Sequence, residues 1–407
     1  MSAATADARS RTHALLVNLS LLVATIALFL AVAEIVLRMA WPTPKVYRAL
    51  KPGLQAAFNP RHSPGVKGPS AFLVNSMGVR AREFGPARAG EYRILCIGGS
   101  TTESLVNDQS RIWTTLLERA LDPWPDGRRV WVGNVGRAGL TSRHHVLQMT
   151  HLPAVYDPDA IVILLGINDL SRRLSQGDAY DPRFAQRPEN QLSLMREAVA
   201  VFPGQFASEW PNDPWIKRAR LWQLVRMFKY RILHRSEMQD AEGESFARWR
   251  QHRASGARAP ALPPLDDALQ EYTDNLRRIV SLARARKARL VLVTQPVLWR
   301  AGLSEQDKAL LWLGGVGDFQ NEAGAVYYEP EALAGGMDAY NRRLLAVCAE
   351  TGTECVDLAA AVPRTTEYFW DDCHFTDEGE ALVAGVLAAA IREKTVPASS
   401  GRPPAAR

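Results

Sequence analysis

At 407 residues, 47% of them hydrophobic, the chain is long enough for one large domain with elaborations or for two smaller ones. Its 49 basic and 43 acidic residues leave a formal charge of +6, but the lysines and arginines are spread along the chain and no zinc-ligand or nucleic-acid motif accompanies them, so no nucleic-acid partner is expected. Four cysteines, Cys96, Cys348, Cys355 and Cys373, are too few and too scattered for a disulfide scaffold or a spaced zinc site.

The first predicted element is an apolar helix. Ala14 to Leu37 is diluted only by Asn18, Ser20, Thr25 and Glu34, and at helical rise it is long enough to cross a bilayer. Glu34 and Arg38 sit four apart near one end, where they can pair and reach the headgroups. A cleaved signal peptide is the competing reading, because Ala31-Val-Ala33 is a small-x-small site, although the apolar run continues past it. Residues 1–41 are accordingly expected to form a tail and transmembrane anchor. Arg9 and Arg11 precede the span while Arg38, Lys45, Arg48 and Lys51 follow it, so the positive-inside count argues against export. The export-like layout of a short N-terminus, one early span and a large remainder argues for a periplasmic or cell-surface domain, and that is the expectation adopted.

Residues 42–90, rich in proline, glycine and basic side chains, fit a stalk that wraps onto the domain. Within it, Asn75-Ser-Met-Gly-Val-Arg80 is either an ordinary surface turn or a turn whose arginine pins the stalk down. From Arg93 onward, short apolar runs alternate with helical patterns, as expected for a parallel sheet covered on both faces. The runs predict strands over Arg93–Ile97, Val130–Val135, Ala160–Leu165, Leu290–Thr294 and Glu354–Asp357. The periodic stretches predict helices over Glu103–Ala120, Ser142–Val155, Asp266–Lys287, Met337–Glu350 and Asp377–Lys394, the last capped by Thr376. The expected fold is α/β: a doubly wound, parallel five-stranded sheet in a three-layer α/β/α sandwich.

Residues 171–264 exceed what one crossover needs and predict a helical insertion. In it, Leu221, Leu224, Val225, Phe228 and Ile232 form an apolar stripe among basic residues, suited to an anionic membrane surface, an acidic glycan or a solvated helix face. Cys348 and Cys355, on either side of a Thr-Gly-Thr turn, are either a disulfide or two packed thiols. Residues 396–407 read as a disordered tail.

Chemistry-bearing residues fall at successive strand ends, where open α/β sheets gather ligands. Gly98-Gly-Ser100 delivers a hydroxyl to a helix N-terminus, whose N–H groups favour an oxyanion. Asn134-Val-Gly-Arg-Ala-Gly139 can turn a backbone N–H toward the same point, and Asn168 in Gly166-Ile-Asn-Asp169 can add a side-chain donor. Asp371-Asp-Cys-His374 offers a histidine with a carboxylate three residues before it, the other two parts a serine nucleophile needs. His144, His145 and His151 cluster, yet lack a zinc-protease spacing. Most tryptophans read as packing residues; Trp370, beside Asp371, either shapes a wall of the site or supports the histidine loop.

These four blocks resemble the SGNH or GDSL-type hydrolases, whose motifs supply serine, glycine, asparagine and histidine in this order. The resemblance covers roughly residues 91–395, leaving the insertion unmatched, and implies a flavodoxin-like SGNH fold. It implies Ser100 as nucleophile and first oxyanion donor, Gly139 as backbone donor and Asn168 as side-chain donor. His374 becomes the general base and acid, oriented by Asp371, with no metal or cofactor. Gly-Gly-Ser-Thr stands where the family has Gly-Asp-Ser-Leu, removing a hydrogen-bonding group at Gly99. Asp372 competes for the orienting role, though family spacing favours Asp371. The expected activity is a membrane-anchored serine esterase removing small acyl groups, such as acetyl, from a cell-surface glycan. The alternatives are an O-acyltransferase with the same triad, a lipid esterase or thioesterase, and a non-catalytic glycan-binding module.

Overall fold

Continuous runs of Val, Ile and Leu with no polar alternation can be satisfied only between two layers of helix, and they make the central sheet here. Its strands are β3 (Glu91–Gly98), β4 (Arg129–Asn134), β5 (Ala160–Leu164), β7 (Arg289–Val293) and β9 (Glu354–Val356), in the order β4-β3-β5-β7-β9. All are parallel, with Ile94 opposite both Val132 and Ala160, and Leu164 opposite Val293. Every residue of β5 is buried. The strand order reverses at β3, so the crevice outside the ends of β4, β3 and β5 is where this topology leaves room for a ligand. The computed structural model describes residues 3–40, 47–84, 90–199, 219–222, 224–225 and 243–394.

The chain divides into two units, residues 1–46 with 201–237, and residues 47–200 with 238–407. In the first, α1 (Ala3–Ala40) is long and apolar enough over His13–Ala40 to span a membrane. Within it, Ser20 and Thr25 donate to the carbonyls of Leu16 and Leu21, each at 2.8 Å, and Arg38 Nε lies 2.7 Å from Glu34 Oε1. Glu34 also accepts the N–H groups of Arg220 and Leu221. Of the predicted apolar stripe, Phe228 and Ile232 lie outside the described residues, as does the 396–407 tail.

In the second unit, residues 47–84 carry a hairpin that the proline- and glycine-rich sequence did not suggest, β1 (Gln55–Phe58) against β2 (Ser70–Leu73). The five predicted sheet strands appear within two residues of their expected bounds. The helix predicted over Glu103–Ala120 is instead two, α2 (Ser100–Glu103) and α3 (Trp113–Leu121). Ser104 stops α2 in a left-handed conformation (φ 51°), and Asp108 binds the N–H and hydroxyl of Ser110, offering the backbone an alternative to helix. Pro153 likewise ends α4 (Ser142–His151) short of the predicted Val155. α5 (Ile167–Gln176), α6 (Pro188–Ala198), α7 (Glu244–Ser255) and the short strand β6 (Ala257–Ala259), which pairs with β8 (Val326–Tyr328), build the described part of the insertion and its neighbours.

α8 (Asp266–Ala285) follows, and α9 (Pro330–Thr351) begins seven residues before the predicted Met337, with Pro330 in its first turn. α10 (Asp377–Glu393) has Thr376 Oγ1 accepting the Gly379 N–H at 3.0 Å, the expected cap. Cys348 in α9 and Cys355 in β9 form a disulfide. The clustered histidines are engaged elsewhere: His144 caps α4 through Nδ1 and meets Glu197 through Nε2, and His145 pairs with Gln148.

Candidate active site

β3 ends at Gly98 and turns at once into α2, placing Ser100 at the first helical position. The turn is too tight for side chains. A Cβ on Gly98 would lie 2.1 Å from Thr102 Oγ1 and 2.7 Å from the Leu164 carbonyl, and one on Gly99 would lie 2.4 Å from Asn168 Nδ2. The turn is held from behind, where Thr101 Oγ1 donates to Gln295 Oε1 at 3.2 Å and Trp113 Nε1 donates to the Thr101 carbonyl at 3.1 Å.

The loop after β4 is tied to this turn twice: the Arg137 N–H donates to the Gly98 carbonyl at 3.1 Å, and Glu103 Oε2 accepts the Ala138 N–H at 2.9 Å. The next residue, Gly139, is exposed with φ +77°, a conformation that disfavours other residues. After β5, Asn168 lies at the start of α5. Its Nδ2 donates to the Leu140 carbonyl at 2.9 Å, which spends one of the two amide hydrogens and fixes the side chain over Gly99. Ser100, Gly139 and Asn168 thus line one cleft of about 580 Å³.

His374 enters the same cleft from the loop before α10. Its Nδ1 lies 2.7 Å from Asp371 Oδ2, and Asp371 Oδ1 accepts the N–H groups of Cys373 and His374 at 3.0 and 2.8 Å. Trp312 Nε1 donates to Asp371 Oδ2 at 2.7 Å. The carboxylate's lone pairs are therefore occupied, so although donor atoms of Asp371, Cys373 and His374 lie within 4.8 Å of one another, the set is spent on hydrogen bonds and not laid out for a metal ion. Asp372 faces away, accepting from Trp299 Nε1 and from the Trp312 and Leu313 N–H groups. Among the described residues, Ser100 Oγ makes no hydrogen bond, to His374 or otherwise.

Burial would disfavour a charged imidazole, but the Asp371 carboxylate overrides it and holds His374 well above its ordinary 6.5. Asp371 is held below its usual range despite burial, by the His374 charge and these hydrogen bonds. Asp372 is raised, by burial and by Asp371 beside it. Burial also pushes Glu380, on the cleft wall, up to about 8, and the Cys373 thiol up to about 11.

Trp370 stacks on His374 with ring centres 5.0 Å apart, and Trp312 lies parallel to it at 6.3 Å. Phe246 and Trp249 on α7 complete an aromatic wall. Trp312 and Trp249 read as packing residues in the sequence, and Phe246 drew no reading: all three stand far from any motif, and only tertiary folding brings them to the cleft. Ser171, Arg172, Ser175 and Gln176 of α5 also line the cleft and add polar groups to it.

The GDSL-like lipase/acylhydrolase family matches residues 96–235. Among solved structures the chain is similar to an alpha/beta hydrolase enzyme from the metagenome of Lake Arreo, Spain, at 16% identity and a TM-score of 0.39, covering 74% of this chain and 94% of that one. It is also similar to an acetylxylan esterase from Geobacillus stearothermophilus, at 16% identity and a TM-score of 0.38, covering 75% of this chain and 94% of that one. No curated protein matches.

Proposed function

We propose, since this chain is a GDSL/SGNH-type hydrolase, that Ser100, His374 and Asp371 form its catalytic triad, with the N–H groups of Ser100 and Gly139 and the Asn168 amide as oxyanion donors. The observation that carries this reading is the convergence of Ser100, Gly139, Asn168 and His374 on one cleft, with Asp371 bound to the far side of the imidazole. His374 takes the Ser100 proton as the serine oxygen attacks an ester carbonyl, then passes it to the departing alcohol. Water attacks the acyl-enzyme, giving its proton to His374, and Ser100 recovers a proton as the acid leaves. The mechanism requires a Ser100 to His374 hydrogen bond that forms as a substrate is seated, the step at which catalytic hydrogen bonds tighten.

The substrate we infer is a small acyl ester, acetyl foremost, on a glycan outside the cytoplasm. A cleft lined by both the polar residues of α5 and the aromatic wall suits a ring with hydroxyls on its edge and an apolar face. The α1 span and the Cys348–Cys355 disulfide favour a membrane-tethered domain in an oxidising compartment. The test is labelling of the full-length protein by a fluorophosphonate, with the modified peptide mapped by mass spectrometry, alongside hydrolysis of nitrophenyl esters of increasing acyl length. Modification at Ser100 and a preference for acetyl are expected; absence of labelling in folded protein defeats the reading, and a preference for long chains replaces the substrate with a lipid. Acyl transfer to an added sugar in preference to water would make the enzyme a transferase.

Asn168→Ala is expected to lower kcat about a hundredfold to a thousandfold with KM little changed, because one donor is lost where charge develops. Steady-state kinetics on nitrophenyl acetate checks it.

A further inference from the structure

Arg80 lies upstream of the matched hydrolase residues, yet its side chain is 1% exposed. Its Nη1 donates to the carbonyls of Glu103 and Ser104 at 2.5 and 2.7 Å, Nη2 to that of Asn107 at 2.7 Å, and Nε to Gln109 Oε1 at 3.0 Å. The first two carbonyls close the single turn of helix that begins with Ser100, a turn too short to hold itself. The third belongs to a residue whose Nδ2 donates to the Phe375 carbonyl at 3.2 Å, next to His374.

The backbone of Arg80 is equally committed. It bridges Asn134 at the end of β4, with the Arg80 N–H 3.0 Å from the Asn134 carbonyl. Asn134 in turn donates through Nδ2 to the Thr102 carbonyl at 2.5 Å and accepts the Gly136 N–H at 2.9 Å, at the root of the Gly139 loop. One residue therefore touches the supports of the serine turn, the glycine loop and the histidine loop together.

We propose that Arg80 is a positioning residue of the hydrolytic site, a buried fork that sets Ser100 against His374 and the Gly139 loop; this rests on the serine-hydrolase reading above. A planar guanidinium with five donors fits diverging carbonyls that an ammonium cannot serve together. Small displacements of reacting groups cost far more in turnover than in substrate binding.

The test uses the full-length chain in detergent, carrying Arg80→Lys and, separately, Gln109→Ala, which removes the Nε acceptor and the Gln109 Nε2 bond to Thr115 Oγ1 but leaves the three carbonyls in place. For Arg80→Lys, kcat on nitrophenyl acetate is expected to fall about tenfold to a hundredfold with KM within about twofold. Fluorophosphonate labelling should slow by the same factor while circular dichroism stays that of the wild type. Gln109→Ala should show the same pattern at about fivefold. Wild-type kcat and labelling rate in folded Arg80→Lys, or a change confined to KM or to melting temperature, overturns the proposal. If Arg80→Lys does not fold, Gln109→Ala decides it by the same readings. A wild-type protein that neither hydrolyses esters nor labels shows instead that the serine-hydrolase reading has failed, and this inference falls with it.

Discussion

Ser100→Ala is expected to lower kcat on nitrophenyl acetate by on the order of a millionfold, the largest effect of any single change in this protein. The reason is that no other hydroxyl on the serine turn can stand in. Thr101 and Thr102 are buried, with Thr101 Oγ1 turned to Gln295, and Ser104 is buried beyond the end of α2. The small catalysis that remains comes from the oxyanion donors and from substrate orientation, which alanine leaves in place. Active-site titration, with circular dichroism to verify folding, measures it; a folded Ser100→Ala protein keeping more than about a hundredth of the wild-type kcat would remove the serine from the mechanism.

Asp371→Asn should cost about ten-thousandfold in kcat, and it should also change the pH dependence. A general base works as neutral imidazole, so wild-type activity rises with pH through the His374 pKa, which the carboxylate holds above 6.5. An amide at 371 cannot hold the imidazolium, so the acid limb of the profile moves to lower pH while the plateau drops. An acid limb that stays in place on this substitution argues against the pair.

The same linkage gives a sign for stability. The raised His374 pKa contributes stability that is fully present below 6.5 and lost as pH rises through its folded value, whereas the lowered Asp371 pKa contributes stability present above 3.8, its ordinary value, and lost as pH falls through its folded value. The ion pair thus steadies the fold at mildly acidic pH, where the proposed base would be protonated and activity is expected to be low.

Much of the architecture was legible because its signals are local. β5 is an unbroken apolar run, β3 is one from Ile94 to Ile97, and Gly98 and Gly99 announce a turn. Thr376 announces a helix start. The break between α2 and α3 was not legible, because the apolar spacing of residues 103–120 suits a helix and only Ser104 and Asp108, acting on the backbone, interrupt it. Nor was the hidden start of α9, where Gly335 and Gly336 weaken the helical pattern and tertiary packing restores it. At the site, Asp371 and His374 are neighbours in sequence and could be paired on paper. Trp312 could not, since its indole reaches Asp371 across 59 positions and nothing local marks it.

The near-collision between Gly99 and Asn168 carries a lesson for anyone redesigning this enzyme. A side chain at position 99 would meet Asn168 Nδ2, the amide that donates to the Leu140 carbonyl, so a substitution there is coupled to the pose of Asn168. A redesign of the serine block should therefore be read out at the asparagine as well, because a change at position 99 that displaces the amide would act through the proposed oxyanion donor and not through the nucleophile.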